Sequence, residues 1–337
     1  ANVSIEADTR TARIKGRMNI DGFDSEVELT EPLNASNAKL RKRLVKTTVD
    51  HKILAAQGIE VEPVLTGKMA VEIASSGVQQ ERHTIDLTRA DISLPWIAWL
   101  KGAGIPARMS FDLSSKNGIN TFSNFTLKGE SFSAAGKLSF DKSGLLSATL
   151  RNVTLVRGDK FDINVIKKKG GFNIVASGER FDGRALITKA LQGDGFSAEK
   201  AQSDISLQAS FGRLSGFYKQ VMENAIVKYQ TDGGRLTALN IKGAIKGSLT
   251  QMQAQRKGDT TSFNIKAENA GASLAMVNIY EKMSGGKLTA TLSKTGNGPY
   301  TGPVRIRKFT VTGEERLASL KAAPPADNRL RRASQKV

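Results

Sequence analysis

Residues 131–141 read SFSAAGKLSFD, and this stretch decides the fold class. Phe132, Ala134, Gly136, Leu138 and Phe140 fall on one side of a period-2 ribbon, while Ser131, Ser133, Lys137, Ser139 and Asp141 fall on the other. A strand of this kind has one wet face, and one apolar face that must meet something.

The same alternation recurs along the chain, in RMSFDLSSKNG, NTFSNFTLKG, LLSATLRNVTLVRG, KFDINVIKKKGG, FNIVASGERFDG, SDISLQASFG, RLTALNIKGAIKG, TTSFNIKAENAG and VRIRKFTVTG. Val, Ile, Phe and Thr fill the runs, and Lys-Ser-Gly, Lys-Asn-Gly, Asp-Gly-Gly and Gly-Asn-Gly fill the breaks between them, as hairpins require. Short turns between regular strands imply an antiparallel meander. Helical signals are sparse. One or two helices are expected within residues 37–58, short ones in LPWIAWLKGAG and DGRALITKALQG, and a fourth in GASLAMVNIYEKMSGG ending at Gly285 and Gly286. Residues 1–320 are expected to form one continuous β segment of a longer protein, and 321–337, which lack periodicity, a disordered or linker tail.

A one-faced sheet must close into a sandwich or barrel, or curl around something else. Aromatic residues make up only 6% of the chain, and many inward candidates are small, among them Ala134, Gly136, Ala148, Ala176, Ala209 and Ala238. Small residues on a concave face leave room, which favours an open groove over a packed sandwich. The expected fold is therefore mainly all-β, a long curved antiparallel sheet forming an open U-shaped groove with a few short helices. Phe132, Leu138, Phe140, Leu146, Leu150, Phe161, Ile163, Val165, Phe172 and Ile174 are the expected lining residues. The competing reading of each is an ordinary core residue, and a one-residue bulge would exchange the faces of any strand. Trp96 and Trp99, with Phe217, Tyr218 and Met222, are expected in core packing rather than in a lip or plug.

Lys and Arg number 50 against 32 acidic residues, a formal net charge of +18, but the cations are dispersed and their longest run is Lys167, Lys168 and Lys169. No recognition helix or aromatic-basic motif accompanies them, so no nucleic-acid partner is expected. Cysteine is absent, which excludes disulfides. No apolar run is long enough to span a membrane as a helix. The start at Ala1 without Met points to a fragment or a processed chain. Chemistry also lacks its residues. His51 and His83 stand without metal-ligand spacing, no G-x-S-x-G elbow or P-loop occurs, and Asp86, Arg89 and Asp91 alternate as a strand's wet face does. Neither an enzyme, a metal site nor a cofactor is expected.

The stretch IDLTRADISLPWIAWLKGAGIPARMSFDL, the residues from FSNFTLKGESFSAAGKLSFD to SGERFDGRALI, and later DGGRLTALNIKG, AENAGASLAMVNIYEKMSGGKLTATL and GPVRIRKFTV resemble the AsmA-like bacterial envelope family. The resemblance is to the central region of its YhdP-type branch in alphaproteobacteria, and it covers roughly residues 10–320. It implies a repeating β-groove similar to that of bridge-like lipid transfer proteins. It further implies a periplasmic location, an inner-membrane anchor in a region absent from this chain, phospholipid as partner, envelope protein partners, and a part in outer-membrane homeostasis. A structural or interaction β-domain with a closed apolar core is the competing function.

The physics of lipid carriage stands beside the resemblance. Exposing a methylene costs about 0.8 kcal/mol, so moving a sixteen-carbon acyl chain bare through water would cost on the order of 13 kcal/mol. A continuous apolar trough removes most of that barrier without specific contacts. At about 4.8 Å per strand, about twenty strands would extend on the order of 90 Å.

Overall fold

The computed structural model describes residues 2–56, 62, 64–77, 81–94, 97–191, 204–296 and 298–314. Of these, 69% are strand and 10% helix, in an open sheet of 21 strands with a few short helices. The chain divides into two compact units, residues 1–157 with 162–167, and residues 158–161 with 168–337. The expected tail at 321–337 lies outside the described residues, as does Trp96.

The first unit holds β1 (Asn2–Ala7), β2 (Thr11–Ile20), β3 (Phe23–Pro32), β4 (Lys42–Asp50), α1 (His51–Ala56), β5 (Leu65–Ser76), β6 (Glu81–Asp86), β7 (Ala90–Leu94), β8 (Trp99–Lys101), β9 (Ala107–Lys116), β10 (Ile119–Gly129), β11 (Ser133–Asp141) and β12 (Gly144–Thr154). Residues 162–167 of β13 (Lys160–Lys168) belong to it as well. Pairing is antiparallel from β1 through β6, then β6 to β9, and on through β12. β7 and β8 leave this order, pairing with the start of β5 and with each other.

The second unit holds β14 (Gly171–Asp182), α2 (Arg184–Leu191), β15 (Asp204–Ser215), β16 (Val221–Asp232), β17 (Arg235–Ile245), β18 (Ser248–Lys257), β19 (Thr260–Ala267), α3 (Ala270–Met276), β20 (Met283–Thr295) and β21 (Val304–Val311). From β15 to β21 each strand pairs antiparallel with the next. β14 and β15 pair in parallel, which the expected meander did not contain. A parallel neighbour cannot be reached by a hairpin, and here the connection contains α2.

One helix expectation is met in part and two are corrected. Within residues 37–58, a 3₁₀ turn at Ala35–Leu40 and α1 flank a nine-residue strand, β4, whose alternation of Leu44, Lys46 and Thr48 with Val45, Thr47 and Val49 was hidden by helix-favouring Lys, Arg and Leu. Around LPWIAWLKGAG the chain forms β8 and no α-helix among the described residues. α2 lies where its sequence placed it. α3 stops at Met276, and Gly285 and Gly286 instead begin β20 with positive φ of 65° and 84°.

Several strands carry a left-handed Asn in their interior: Asn124 (φ 49°) in β10, Asn152 (φ 49°) in β12 and Asn224 (φ 51°) in β16. Each coincides with a shift in pairing register. A bulge at this point inserts one residue and exchanges sequence parity between the faces, so that Phe122 and Phe125, three apart, both stand opposite apolar-face residues, Leu138 and Gly136. Asn tolerates this backbone because its short polar side chain bonds locally. Asn124 Nδ2 donates to Asp112 Oδ2 at 2.6 Å.

Candidate functional site

In the first unit, strand register assembles a continuous apolar row. Val3 pairs with Gly16, Gly16 with Val27, Val27 with Val45, Val45 with Ile73, and Ile73 with His83. The row then becomes aromatic. His83 stacks on Phe111 at 5.0 Å between ring centroids, Phe111 on Phe122 at 4.0 Å, and Phe122 lies 5.1 Å from Phe140. Phe122 is the partner of Leu138, and Leu138 of Ala148. A parallel row one step along runs through Val71, Ile85, Met109, Leu127 and Ala134.

One end of this face is covered. Val49, Met69, Leu87, Ala107 and Phe132 form a buried cluster with Ala90 and Ile92 of β7, flanked by Leu54 of α1 and by Trp99. Trp99 meets Phe132 edge to face at 5.1 Å, and its Nε1 donates to the Leu155 carbonyl at 2.7 Å. Lys101 is fully buried here, its Nζ donating to the Leu87 carbonyl and, at 2.6 Å, to that of Ala90. Burial lowers its pKa, opposed by the charges of Asp91 and Asp86. Along the rest of this face Val27, Phe111 and Phe125 are buried as well, while Val45, Ile73 and Leu138 are half-buried. Toward the opposite strand ends Glu31 accepts from Arg41 and Arg43 at 3.0 and 2.5 Å, and hydrogen bonding from Arg43 leads in lowering its pKa.

In the second unit the equivalent row runs Ile174, Leu207, Tyr229, Leu239, Ala254, Phe263 and Leu292. Burial pushes the Tyr229 phenol up to about 12. α3 packs over one end of the face, where its Ala270 joins Ala267, Leu288 and Ala290 in a buried cluster with Leu274 and Ile306 beside it. Asn269 caps α3, accepting from Ala272 N at 3.1 Å.

The sequence-derived lining residues are placed as follows. Leu138, Phe140 and Leu150 share the apolar face of the first unit, the last opposite Gly136. Leu146 flanks a register shift at which Leu145 stands opposite Phe140. Ile163 and Val165 alternate with Asp162 and Asn164, which bond Arg151 and Thr149 on the polar side. Phe132 precedes its strand and is buried under Trp99. Phe161 packs edge-on against Phe181 and Phe211 in the second unit, where Phe172 and Ile174 pair with Ile205 and Leu207. Met222 is buried, Tyr218 is exposed, and Phe217 N donates to the Met276 carbonyl of α3.

Sequence reasoning missed His83, and gave Gly136 a different reason for its place. His83 belongs to the aromatic row, its Nε2 buried without a hydrogen-bond partner, 3.7 Å from Glu81 Oε2. Its signal was its place in the alternation of ERHTID, where it shares parity with Ile85. Gly136 holds φ +155°, and a Cβ there would lie 2.0 Å from the Thr149 carbonyl oxygen, so backbone approach rather than groove width requires it. His51 is held outside the row, with Nδ1 accepting from Gly67 N at 2.9 Å and Nε2 3.1 Å from Glu62. Among the described residues no group of three His, Asp or Glu is placed to hold a metal ion, and no helix is long and apolar enough to cross a membrane.

The opposite faces differ from these. In the first unit Lys15 pairs with Glu28 at 2.6 Å, Lys46 with Glu72 at 3.7 Å and Arg82 with Asp112 at 2.9 Å. No family model matches the chain, and neither the curated proteins nor the solved structures hold a match to it.

Proposed function

We propose that the chain is a lipid-transfer segment of a bacterial envelope protein of the AsmA-like kind, carrying phospholipid acyl chains along its apolar faces and performing no chemistry. The observation that carries this reading is the apolar row running across strand after strand in each unit, with β7, β8 and α1 packed over one end of the face in the first and α3 over one end in the second. A row of Val, Ile, Leu and Phe side chains offers an acyl chain the environment it leaves in a bilayer, and offers no headgroup a fixed partner. Weak, repeated contacts suit movement along the row better than a single tight pocket. The polar rim charges, Arg41 and Arg43 around Glu31, lie where a headgroup would remain in water. The expected location is the periplasm, with attachment to the inner membrane through a region outside this chain.

The test is lipid content. The full chain, purified without detergent from cells and extracted into organic solvent, should yield phospholipid by mass spectrometry in at least equimolar amount. Protein that is folded and monodisperse yet lipid-free would contradict the proposal. It would favour the competing reading of a structural or interaction domain, which the closed cluster around Leu87 and Phe132 supports.

A further inference from the structure

In the first unit, strand β5 passes from one pairing partner to another within two residues. Leu65, Thr66 and Gly67 pair with Ile92, Asp91 and Ala90 of β7, and from Lys68 onward β5 pairs with β4, beginning at Asp50. The β7–β8 cover over the buried cluster is therefore tied to the main sheet along this step. His51, the first residue of α1, stands there. Gly67 faces Ala90 of β7, yet its N–H donates to His51 Nδ1 at 2.9 Å. A ring nitrogen that accepts from an N–H carries no proton, so this bond requires neutral His51 with its proton on Nε2, which lies 3.1 Å from Glu62 Oε1. Asp50 Oδ1, which accepts from Lys52 N, lies 3.1 Å from the same Nδ1. A carboxylate thus stands at each ring nitrogen of a side chain that is only 14% exposed. Lys52 of α1 and Lys68 of β5, the latter opposite Asp50, add positive charge at this step, and Asp91 of β7 stands opposite Thr66.

We infer that His51 is a proton-operated latch for the β7–β8 cover: neutral, it holds Gly67 and keeps the cover closed, and protonated, it releases Gly67 and loosens the cover. Histidine is the side chain whose charge ordinarily changes between about pH 5 and 8. The incoming proton goes to Nδ1, which turns from acceptor to donor and can no longer accept from Gly67. Asp50 receives the new N–H and Glu62 keeps the other, so the cation is satisfied where it stands. The Gly67 N–H is not. It is left without its acceptor in a half-buried position, the costly way to lose a hydrogen bond. Gly67 has φ +98°, and a Cβ there would lie 2.7 Å from the Arg89 carbonyl oxygen, so β5 meets the turn into β7 backbone against backbone. A displaced Gly67 displaces that turn with it. On the lipid-transfer reading, loosening at low pH uncovers Met69, Leu87 and Phe132 and lengthens the apolar face, whereas the latch itself does not depend on that reading.

The experiment uses the full chain carrying Trp96→Phe, so that emission reports Trp99 of β8 where it packs on Phe132. Between pH 7.5 and pH 5 the emission should shift to the red. Over the same range, exchange of the Gly67 amide, corrected for its intrinsic pH dependence, should speed up about fivefold, the effect of losing one hydrogen bond. His51→Asn keeps an acceptor and does not titrate, and should hold the neutral-pH emission throughout. His51→Leu removes the acceptor and should give the acid emission at both pH values. Asp50→Asn removes the charge that receives the new proton and should move the midpoint to lower pH. Far-UV circular dichroism confirms that each variant is folded, and the Gly67 exchange is read on His51 itself, so that the test stands if a variant fails to fold. Emission and Gly67 exchange that are the same at both pH values would overturn the inference. So would a pH response that persists in His51→Asn, which would assign the proton to another group.

Discussion

Phe111 and Phe122 lie face to face on neighbouring strands, their ring centroids 4.0 Å apart and their planes 9° from parallel. Phe111 is 5% exposed, and His83 stacks on its other side, so the pair is the centre of the aromatic row. Replacing Phe111 with Ala should destabilise the chain by about 3 kcal/mol or more, as for other buried Phe. Phe111→Leu and Phe122→Leu combined in a double-mutant cycle should show about 1 kcal/mol of coupling in denaturant unfolding. Additive effects of the two would mean that the rings pack independently.

His83 gives the row a pH dependence with a definite sign. Burial lowers its pKa below the ordinary histidine value of 6.5, against the opposing attraction of Glu81. A depressed folded-state value means that the unfolded chain binds the proton more readily. The contribution of His83 to stability is therefore complete above about pH 6.5 and declines as pH falls through the folded value. His83→Phe removes both this titration and the unpartnered Nε2. It should raise stability by about 1 kcal/mol at pH 7, the low end of the cost of a buried unsatisfied group, and the gain should grow on acidification. A stability difference that stays constant from pH 7.5 to pH 5 would contradict this assignment.

Gly136 tests how closely β11 and β12 approach. Its φ of +155° disfavours L side chains, and an added Cβ would meet Thr149 O at 2.0 Å. Gly136→Ala should cost about 3 kcal/mol through backbone strain and displacement of β12. Gly118→Ala, where a Cβ has open space but φ is +74°, should cost only about 1 kcal/mol. Comparable losses at the two sites would show that close approach adds nothing to the strain.

Lys101 closes the covered end of the first unit by donating to the Leu87 and Ala90 carbonyls. Lys101→Met keeps the apolar stem and leaves both carbonyls unpaired in the interior. A loss of about 3 kcal/mol is expected, accompanied by a red shift of tryptophan fluorescence as Trp99 loosens over Phe132. Unchanged stability would mean that water replaces the ammonium without cost.

The sequence was most legible where one physical rule acts alone. Alternation in SAAGKLSFD and LLSATL survives because one face of each strand is apolar along its length, and hairpin turns fix antiparallel direction between them. It was least legible where a second constraint overrides composition. The parallel pairing of β14 with β15 depends on the path of the connection through α2, which strand composition does not encode. Asn124, Asn152 and Asn224 look like ordinary polar strand positions, yet their left-handed backbone marks the bulges at which sequence parity changes face. Gly285 and Gly286 carry a helix-terminating signal, but their positive φ serves the start of β20.

The central claim is that the apolar face touches lipid, and position-specific crosslinking tests it most directly. A photoreactive amino acid is placed at Phe140 and Leu150, on that face, and at Lys137, whose partner Thr149 lies on the polar side. The experiment is carried out in cells whose phospholipids are isotopically labelled. Labelled adducts at Phe140 and Leu150, absent at Lys137, are the predicted result. Crosslinks at Phe140 and Leu150 that join only parts of the same chain would contradict it, and would make the face an internal core.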